Sequence, residues 1–304
     1  MSAIVTTAAR RRYHDLSIAR HQLQCALGLT VMIERTRLRA STVGVVEDVR
    51  AVVAAGSGPE GFSPDFQVSF PYRGLFVWRA NRDDVVGDAN QVLFVTGGEP
   101  YRMRAASAIG YAELIITTPP EILSELTGVS VRDLPRHPLF ARRSRRADPC
   151  VQRLRASLLH RAAGGDLDDL STDEHALALL RAALQSEVTT GAPGWRTHRL
   201  IRRAKEYVDA HACTSLRLRD VAAAVDASPA YLTDVFRRAE GVSLHRYVVQ
   251  LRLARALVEL PHASDLTALA FDLGFSSHSH FSAAFRRAFG CTPSAFRESM
   301  RVHR

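Results

Sequence analysis

The feature that most constrains this fold is a duplication near the carboxyl end of the chain. Leu218–Gly241 reads LRDVAAAVDASPAYLTDVFRRAEG, and Leu266–Gly290 reads LTALAFDLGFSSHSHFSAAFRRAFG. Both segments begin with leucine, place alanine four residues later and end in Phe-Arg-Arg-Ala-x-Gly, and the second has one extra residue. A repeat of this size indicates that one supersecondary unit is duplicated. These segments are called the first unit and the second unit below.

Each unit has the pattern of a helix-turn-helix. The first helix carries a small residue where a partner helix must approach closely, at Ala222 and Ala270. A tight turn follows, at which Asp226 and Gly274 tolerate a positive φ. The second helix then begins at a serine N-cap, which predicts Ser228 in the first unit and Ser276 or Ser277 in the second.

The helical assignment answers a question raised by His278 and His280. On a strand, residues at this spacing share a face, so both imidazoles could bind one metal ion. On a helix they lie about 200° apart and diverge. Apolar pairs at i and i+4 favour the helix, namely Leu232 with Phe236 and Phe281 with Phe285. We therefore expect a helix here and no metal site or cofactor.

The helix faces opposite these apolar pairs are the candidate contact surfaces. In the first unit this face comprises Ala230, Thr233, Asp234, Arg237 and Arg238. In the second it comprises His278 in the first turn, Ser279, Ser282, Ala283 and Arg286. Short polar side chains followed by arginine are typical of a recognition helix, because small side chains let the helix lie deep in the major groove.

The segment at 243–260 between the units has helical spacing and ends at Pro261. Eighteen residues give a rod of about 27 Å, close to the turn of B-DNA at about 34 Å, so two recognition helices could enter successive groove segments. Phosphate contacts are predicted for the following side chains: Ser228 and Tyr231 at the first recognition helix, and Arg252 on the rod, with Arg246 and Arg255 as further candidates.

The positive charge is concentrated in the same part of the chain. The formal net charge is +9, and residues 196–304 hold 17 basic and 10 acidic side chains against 23 and 21 in residues 1–195. The carboxyl-terminal third is therefore the part that attracts a polyanion. No apolar run is long enough to span a membrane and no signal peptide is recognisable, so we expect a cytoplasmic protein.

The region from about 40 to 118 has a different pattern. Short alternating or apolar runs such as DFQVSF, GLFVWRA and NQVLFVTG favour strands, and GSGPEG, NRDD and TGGEP interrupt them as turns. Many short strands at this spacing predict a barrel or a sandwich. The four cysteines, Cys25, Cys150, Cys213 and Cys291, are scattered, and we expect free thiols.

A helical connector follows. Asp148 is the predicted N-cap of one helix, and Ser171 with Glu174 has the spacing of a capping box for another. These helices are either a packing connector or a dimerisation surface, and the sequence leaves both interpretations open. TTGAPGW at 189–195 is the predicted linker to the helical carboxyl-terminal third.

Residues 196–298 resemble the DNA-binding domain of the AraC/XylS family of bacterial transcription regulators. The most specific part is ALAFDLGFSSHSHFSAAFRRAFGCTPSAFR, which carries the family pattern through Ala270, Gly274, Phe275, Phe281, Phe285, Phe289, Gly290 and Pro293. Two departures lie in the first unit: Asp226-Ala227 stands where glycine is frequent, and Asp234 places a negative charge on the recognition face.

The resemblance implies an α+β chain of two domains. Its parts are a β-rich, cupin-like sensing barrel at 1–145, a helical connector at 146–190, and a DNA-binding domain at 196–304 with helix-turn-helix motifs at about 216–241 and 264–290. Double-stranded DNA is the implied partner, with RNA polymerase, a homodimer partner and a small-molecule effector beside it. The candidate effector pocket is lined by aromatic side chains: Phe70, Tyr72, Phe76, Trp78 and Phe94.

These observations predict a sequence-specific DNA-binding regulator rather than an enzyme. The first alternative is an enzyme, of the alkyl-transfer repair or cupin type, fused to a DNA-targeting module. Against it, Cys25 and Cys150 have no local histidine partner, and no Gly-x-Ser-x-Gly or phosphate-binding loop is present. The second alternative is an architectural protein that binds DNA without sequence preference.

Overall fold

The computed structural model describes residues 19–24, 30–53, 57–81, 83–105, 110–164, 168–185 and 195–301. The predictions for residues 1–18, Cys25 and the linker at 189–194 lie outside these ranges. No helix in the described ranges is long and apolar enough to cross a membrane. The described cysteines, Cys150, Cys213 and Cys291, are free thiols.

Eleven strands and a few short helical segments form the amino-terminal part within the described residues. The strands are β1 Ala19–Gln24, β2 Thr30–Ala40, β3 Val45–Val53, β4 Ser57–Phe62, β5 Phe66–Arg73, β6 Phe76–Ala80, β7 Asp83–Gly87, β8 Gln91–Val95, β9 Pro100–Ala105, β10 Tyr111–Thr118 and β11 Ser144–Arg146. Two helices and a 3₁₀ turn precede β11, at α1 Pro120–Thr127, Val131–Arg136 and α2 Pro138–Arg142.

The strands form two antiparallel sheets. The larger has the order β1-β2-β3-β10-β5-β8-β11, and the smaller has the order β4-β9-β6-β7. One face of the larger sheet packs on α1, α2 and the helical residues 149–184 around Phe70, Phe94, Phe140 and Leu179. A second apolar cluster around Phe76, Trp78 and Tyr111 includes side chains of both sheets. A β-rich amino-terminal part is therefore confirmed, but among the described residues the sheets do not close into a barrel.

The connector consists of two helices, α3 Pro149–Gly164 and α4 Asp169–Leu184. Asp148 caps α3 as predicted, since its Oδ1 accepts a hydrogen bond from the amide of Val151 at 2.9 Å. The capping prediction for α4 was wrong in position. The N-cap is Asp168, which accepts from the amide of Ser171 at 2.7 Å, so Ser171 lies inside the helix.

The carboxyl-terminal part is helical throughout its described residues. Its helices are α5 Trp195–His211, α6 Leu218–Ala224, α7 Pro229–Glu240, α8 Leu244–Glu259, α9 Leu266–Asp272, α10 His278–Phe289 and α11 Pro293–Arg301, with a 3₁₀ turn at Leu260–His262 after α8. The first unit thus contains α6 and α7, and the second unit contains α9 and α10. At about 1.5 Å per residue, the sixteen residues of α8 span about 24 Å between the units.

Candidate nucleic-acid interface

The two units have the same local construction. Ala222 and Ala270 are buried where the helices of each unit meet, and the turns have positive φ at Asp226 (55°) and Gly274 (83°). Ser228 caps α7, because its Oγ accepts from the amide of Tyr231 at 3.2 Å. The helix-turn-helix prediction is confirmed for both units.

The second recognition helix is built in the same way. Ser277 is its N-cap and accepts from the amide of His280 at 3.1 Å, which resolves the choice between Ser276 and Ser277. Gly241 and Gly290 end the two helices at φ 70° and 78°, as left-handed C-caps. Because the segment from His278 is helical, the two histidines diverge. The described residues contain no group of three or more metal-ligating side chains.

The apolar stripes point inward as predicted. Leu232 and Phe236 are fully buried in a cluster that also contains residues of α5 and α8. Phe281 and Phe285 are fully buried in a second cluster with Phe296 of α11. Each recognition helix is therefore fixed along one face, which leaves its opposite face for contact.

The exposed face of α7 carries the predicted set. Ala230, Asp234, Arg237 and Arg238 are exposed, and Thr233 is half-buried with its hydroxyl donating to a backbone carbonyl of the same helix. Asp234 forms an ion pair with Arg238, whose Nε lies 3.1 Å from Oδ1 of Asp234. The carboxylate that would repel phosphate is therefore offset within its own helix.

The exposed face of α10 is smaller and less charged in its first turns. His278, Ser279, Ala283 and Arg286 are exposed, and Ser282 is half-buried with its Oγ 3.4 Å from Nε2 of His278. Short side chains at the helix start and arginine near its end are the pattern expected of a helix that lies in a groove and contacts phosphate. Base contact by these residues stays a prediction.

The side chains predicted to contact phosphate differ in their exposure and in whether they already form hydrogen bonds within the protein. Tyr231 is 54% exposed at the start of α7. The hydroxyl of Ser228 serves the helix cap. Arg252 is tied down, because its Nε donates to the carbonyl of Ala212 at 2.7 Å and its Nη2 to that of Thr214 at 3.0 Å.

Two other arginines on the rod also have distinct positions. Arg246 is exposed, whereas Arg255 lies beside Asp209 of α5, with its Nη2 2.7 Å from the carboxylate. Burial raises the pKa of Asp209, and the guanidinium of Arg255 opposes that shift. Arg255 therefore joins α8 to α5, and Arg246 is the more accessible phosphate candidate.

The predicted effector residues do not share one lining. Phe70 and Phe94 lie in the cluster that faces the helices, whereas Phe76 and Trp78 lie in the cluster that includes the smaller sheet. Tyr72 is buried and donates its hydroxyl to Asp48 at 2.7 Å. Effector binding by these five residues stays a prediction. A groove of about 520 Å³ lies at β6 and β9, lined by Val77, Arg79, Asn81, Asp84, Pro100, Tyr101, Arg102, Met103 and Arg104.

The side chains that join the first unit to the β-rich part were not predicted from the sequence. Lys205 on α5 is the only lysine in the chain and is almost fully buried. Tyr247 lies in the segment at 243–260, for which the sequence predicted only helical spacing, yet its hydroxyl donates to Asp88. The single lysine was the available signal, although nothing in its neighbouring sequence reveals the partner from residue 88.

Comparisons with known proteins agree with this geometry. The family model described as "helix-turn-helix domain" matches residues 221–299. The regulatory protein SoxS of Salmonella typhimurium is 35% identical over 102 residues, which are 33% of this chain and 95% of SoxS. The regulatory protein PocR of the same organism is 34% identical over 118 residues, which are 38% of this chain and 39% of PocR, so the chain spans about two fifths of that relative.

One solved structure matches a similar share of this chain. It is a transcriptional regulator of Chromobacterium violaceum, described as containing an AraC-type DNA-binding domain. The sequence identity is 28%, the match covers 34% of this chain and 94% of the other, and the TM-score is 0.33. A TM-score this low bears on neither fold nor function.

Proposed function

The chain belongs to the AraC/XylS family of bacterial transcription regulators, and we propose that it binds a specific DNA sequence by placing α7 and α10 in successive major-groove segments. The observation that carries the proposal is the doubled recognition helix. Each helix is fixed by two fully buried apolar side chains and exposes short side chains followed by arginine.

The chemistry of the exposed side chains indicates which of them contact phosphate and which contact bases. Arginine contacts to phosphate supply affinity without sequence information, whereas groups in the first turns of a recognition helix contact base edges. We assign base contact to Ala230 and Thr233 on α7 and to His278, Ser279 and Ser282 on α10. Phosphate contact is assigned to the more exposed basic and polar side chains, namely Tyr231, Arg237, Arg238, Arg246 and Arg286.

The finer features of such a regulator are part of the proposal. We propose that the β-rich part responds to a small-molecule effector or to a partner, that RNA polymerase is contacted at the promoter, and that the helices of the connector allow a homodimer. A bacterial DNA-binding regulator works in the cytoplasm, which is the proposed compartment. No specific observation favours the enzyme alternative.

Selection from a random duplex library with the full chain tests the proposal. The expected result is one asymmetric motif with two specified blocks about one helical turn apart, since a single chain carries two unequal recognition helices. A chain that enriches no sequence, and whose affinity falls steeply with salt, would be the non-specific architectural binder instead.

Ser279→Glu tests the assigned face of α10. The position is exposed, so the variant folds, but it brings a carboxylate towards phosphate and specific binding falls at least about a hundredfold, by roughly 3 kcal/mol. Ser294→Glu, an exposed change on α11 outside both recognition helices, is the matched control and keeps affinity. Loss of helical signal in Ser279→Glu would refute the assigned face.

A further inference from the structure

The segment Asp88–Gln91, called the docking loop below, connects β7 to β8 and contacts the DNA-binding part through its side chains. Asp88 and Asn90 are fully buried, and Ala89 belongs to the apolar cluster of the first unit. Asn90 donates from Nδ2 to the carbonyl of Tyr247 on α8 at 3.1 Å. The β-rich part therefore inserts a loop into the core that supports α7.

A buried group of charges lies at the centre of this contact. Lys205 Nζ is 2.8 Å from Glu240 Oε1 and 3.7 Å from Asp88 Oδ2, and the hydroxyl of Tyr247 donates to the same Asp88 oxygen. All three charged side chains are less than a tenth exposed. Because buried charges are costly unless each has its partner, these residues specify how the parts fit together.

The loop also holds the end of the recognition helix itself. Glu240 is the last residue of α7, and its second carboxylate oxygen accepts from Nε2 of Gln91 at 3.1 Å. Gln152 of the connector donates to Asn90 Oδ1 and to the carbonyl of Ala89, both at 3.1 Å. The β-rich part, the connector and α7 are thus joined by one continuous set of hydrogen bonds.

Within the part of the chain that the structure describes, the second unit has no equivalent of these contacts. At the place of Glu240, α10 has Phe289, which packs on Phe285. The second unit meets the connector through the apolar contact of Ala156 with its core. After the unit ends, the carbonyl of Met300 on α11 lies 2.6 Å from His160 Nε2 of the connector. Among the described residues, no ion pair joins α9 or α10 to the amino-terminal part.

We propose that the docking loop positions recognition helix α7, so that the β-rich part controls how the first unit reads its half of the site while α10 reads the other half independently. Asp88, Asn90 and Gln91 are positioning residues, acting on DNA through Glu240 and Tyr247. The inference rests on the proposed function and adds to it a route from the amino-terminal part to one recognition helix.

Gln91→Ala in the full chain tests this route, because it removes the hydrogen bond to Glu240 and leaves the buried charges of Asp88, Lys205 and Glu240 in place. Gln67→Ala is the matched control: Gln67 is equally buried, but its amide donates to Thr117 within the larger sheet. Binding is measured on the selected site and on versions with either block scrambled. The two blocks are assigned with Ser279→Glu. The block whose scrambling no longer changes the affinity of that variant is the one that α10 contacts.

The expected result is about a tenfold loss of affinity for the intact site in Gln91→Ala, as for loss of one hydrogen bond to a charged group. The loss disappears when the α7 block is scrambled and persists when the α10 block is scrambled, and Gln67→Ala has no effect. An unchanged affinity, or equal losses on both scrambled sites, overturns the positioning role while leaving the proposed function intact. A wild-type chain that selects no motif overturns both.

Chemical labelling gives a second measurement that needs no DNA. Because Lys205 is the only lysine, an amine-reactive acetylating reagent reports its accessibility once the labelled peptide is separated from the amino terminus by mass spectrometry. We expect Lys205 to be labelled at least about tenfold faster in Asp88→Asn than in the wild type, since loss of the partner charge loosens the docked loop. Equal rates in the two chains would refute the docking loop as the cover of Lys205.

Discussion

The two helix-turn-helix units have the same backbone and different surroundings. Both have an alanine at the helix contact, a serine N-cap, two phenylalanine or leucine side chains in the core and a glycine C-cap. The first unit is joined to the β-rich part by buried charges around Lys205, whereas the second is joined to the connector by apolar packing at Ala156. A duplicated motif therefore keeps its local fold while each copy acquires its own connection to the rest of the chain.

Comparing the two units separates the residues that form a recognition helix from the residues that connect it to the rest of the molecule. The residues common to both units determine the helix, the turn and the buried stripe. The residues found in one unit only, above all Glu240 in place of Phe289, determine which part of the molecule the helix responds to. The four pairs of substitutions below test this separation.

The largest effect is expected in the shared cores. Phe236→Ala and Phe285→Ala each remove a fully buried ring, and each lowers the free energy of unfolding by about 3 to 5 kcal/mol. Urea unfolding followed by circular dichroism measures both. A cost below about 1 kcal/mol in either variant would show that the two cores are not equivalent.

The next effect is confined to the first unit. Lys205→Met keeps the length of the side chain but leaves the carboxylates of Asp88 and Glu240 buried without a positive partner, which costs about 3 kcal/mol. Adding Glu240→Gln recovers part of the loss, because one uncompensated charge is removed. Full stability in Lys205→Met alone would mean that the charges are not buried together in solution.

Exchanging the turn residues is expected to be asymmetric. Gly274→Asp costs about 2 kcal/mol, because φ is 83° and the new Cβ would lie 3.0 Å from the carbonyl oxygen of Ala212 and from the guanidinium of Arg252. Asp226→Gly changes stability by less than about 1 kcal/mol, since relief at φ 55° offsets loss of an exposed ion pair to Arg203. Equal costs in thermal unfolding would contradict the asymmetry.

The smallest effect is expected at the helix ends. Gly241→Ala and Gly290→Ala place a Cβ in open space at φ 70° and 78°, so backbone strain is the only cost, at about 1 kcal/mol in each. The two values should agree within experimental error in the same unfolding assay. A clear difference would show that the caps differ in their surroundings, as the docking contacts do.

Much of the carboxyl-terminal part was predictable, because its signals are local and occur twice. Ser228 lies before Pro229 and an apolar stripe, and this order alone places the start of α7. The exposed faces followed from helical rotation about the buried pairs. The apolar pairs that predicted a helix at His278 and His280 recur at the same spacing in the other unit.

The β-rich part was predicted less completely, because sheet pairing depends on distant residues. GSGPEG was interpreted as a turn, yet Ser57–Phe62 forms β4 at the edge of the smaller sheet. Pro59 is compatible with this strand because, among the described strands, β4 has β9 as its single neighbour and the register shifts between Ser57 and Glu60. The strand pattern predicted a barrel or a sandwich and the family resemblance implied a barrel, but strand number does not determine whether sheets close.

The docking contacts could not be predicted either, because they join residues that are even farther apart in the sequence. Asp88 and Lys205 are more than a hundred residues apart, and neither has a sequence neighbour that reveals the other. Tyr247 follows the apolar spacing of α8, so its hydroxyl bond to Asp88 had no local signal. Local patterns thus predicted the recognition helices and missed the loop that supports one of them.

The insertion of Asp88–Gln91 into the first unit has a consequence for engineering by domain exchange. A hybrid that joins residues 1–185 of this chain to a carboxyl-terminal part lacking this lysine and this tyrosine would bury the carboxylate of Asp88 without the ammonium and phenol that satisfy it. Grafts that also transplant lysine, tyrosine and glutamate at positions 205, 247 and 240 should assemble correctly, whereas a cut at the linker alone yields two well-folded pieces that fit badly.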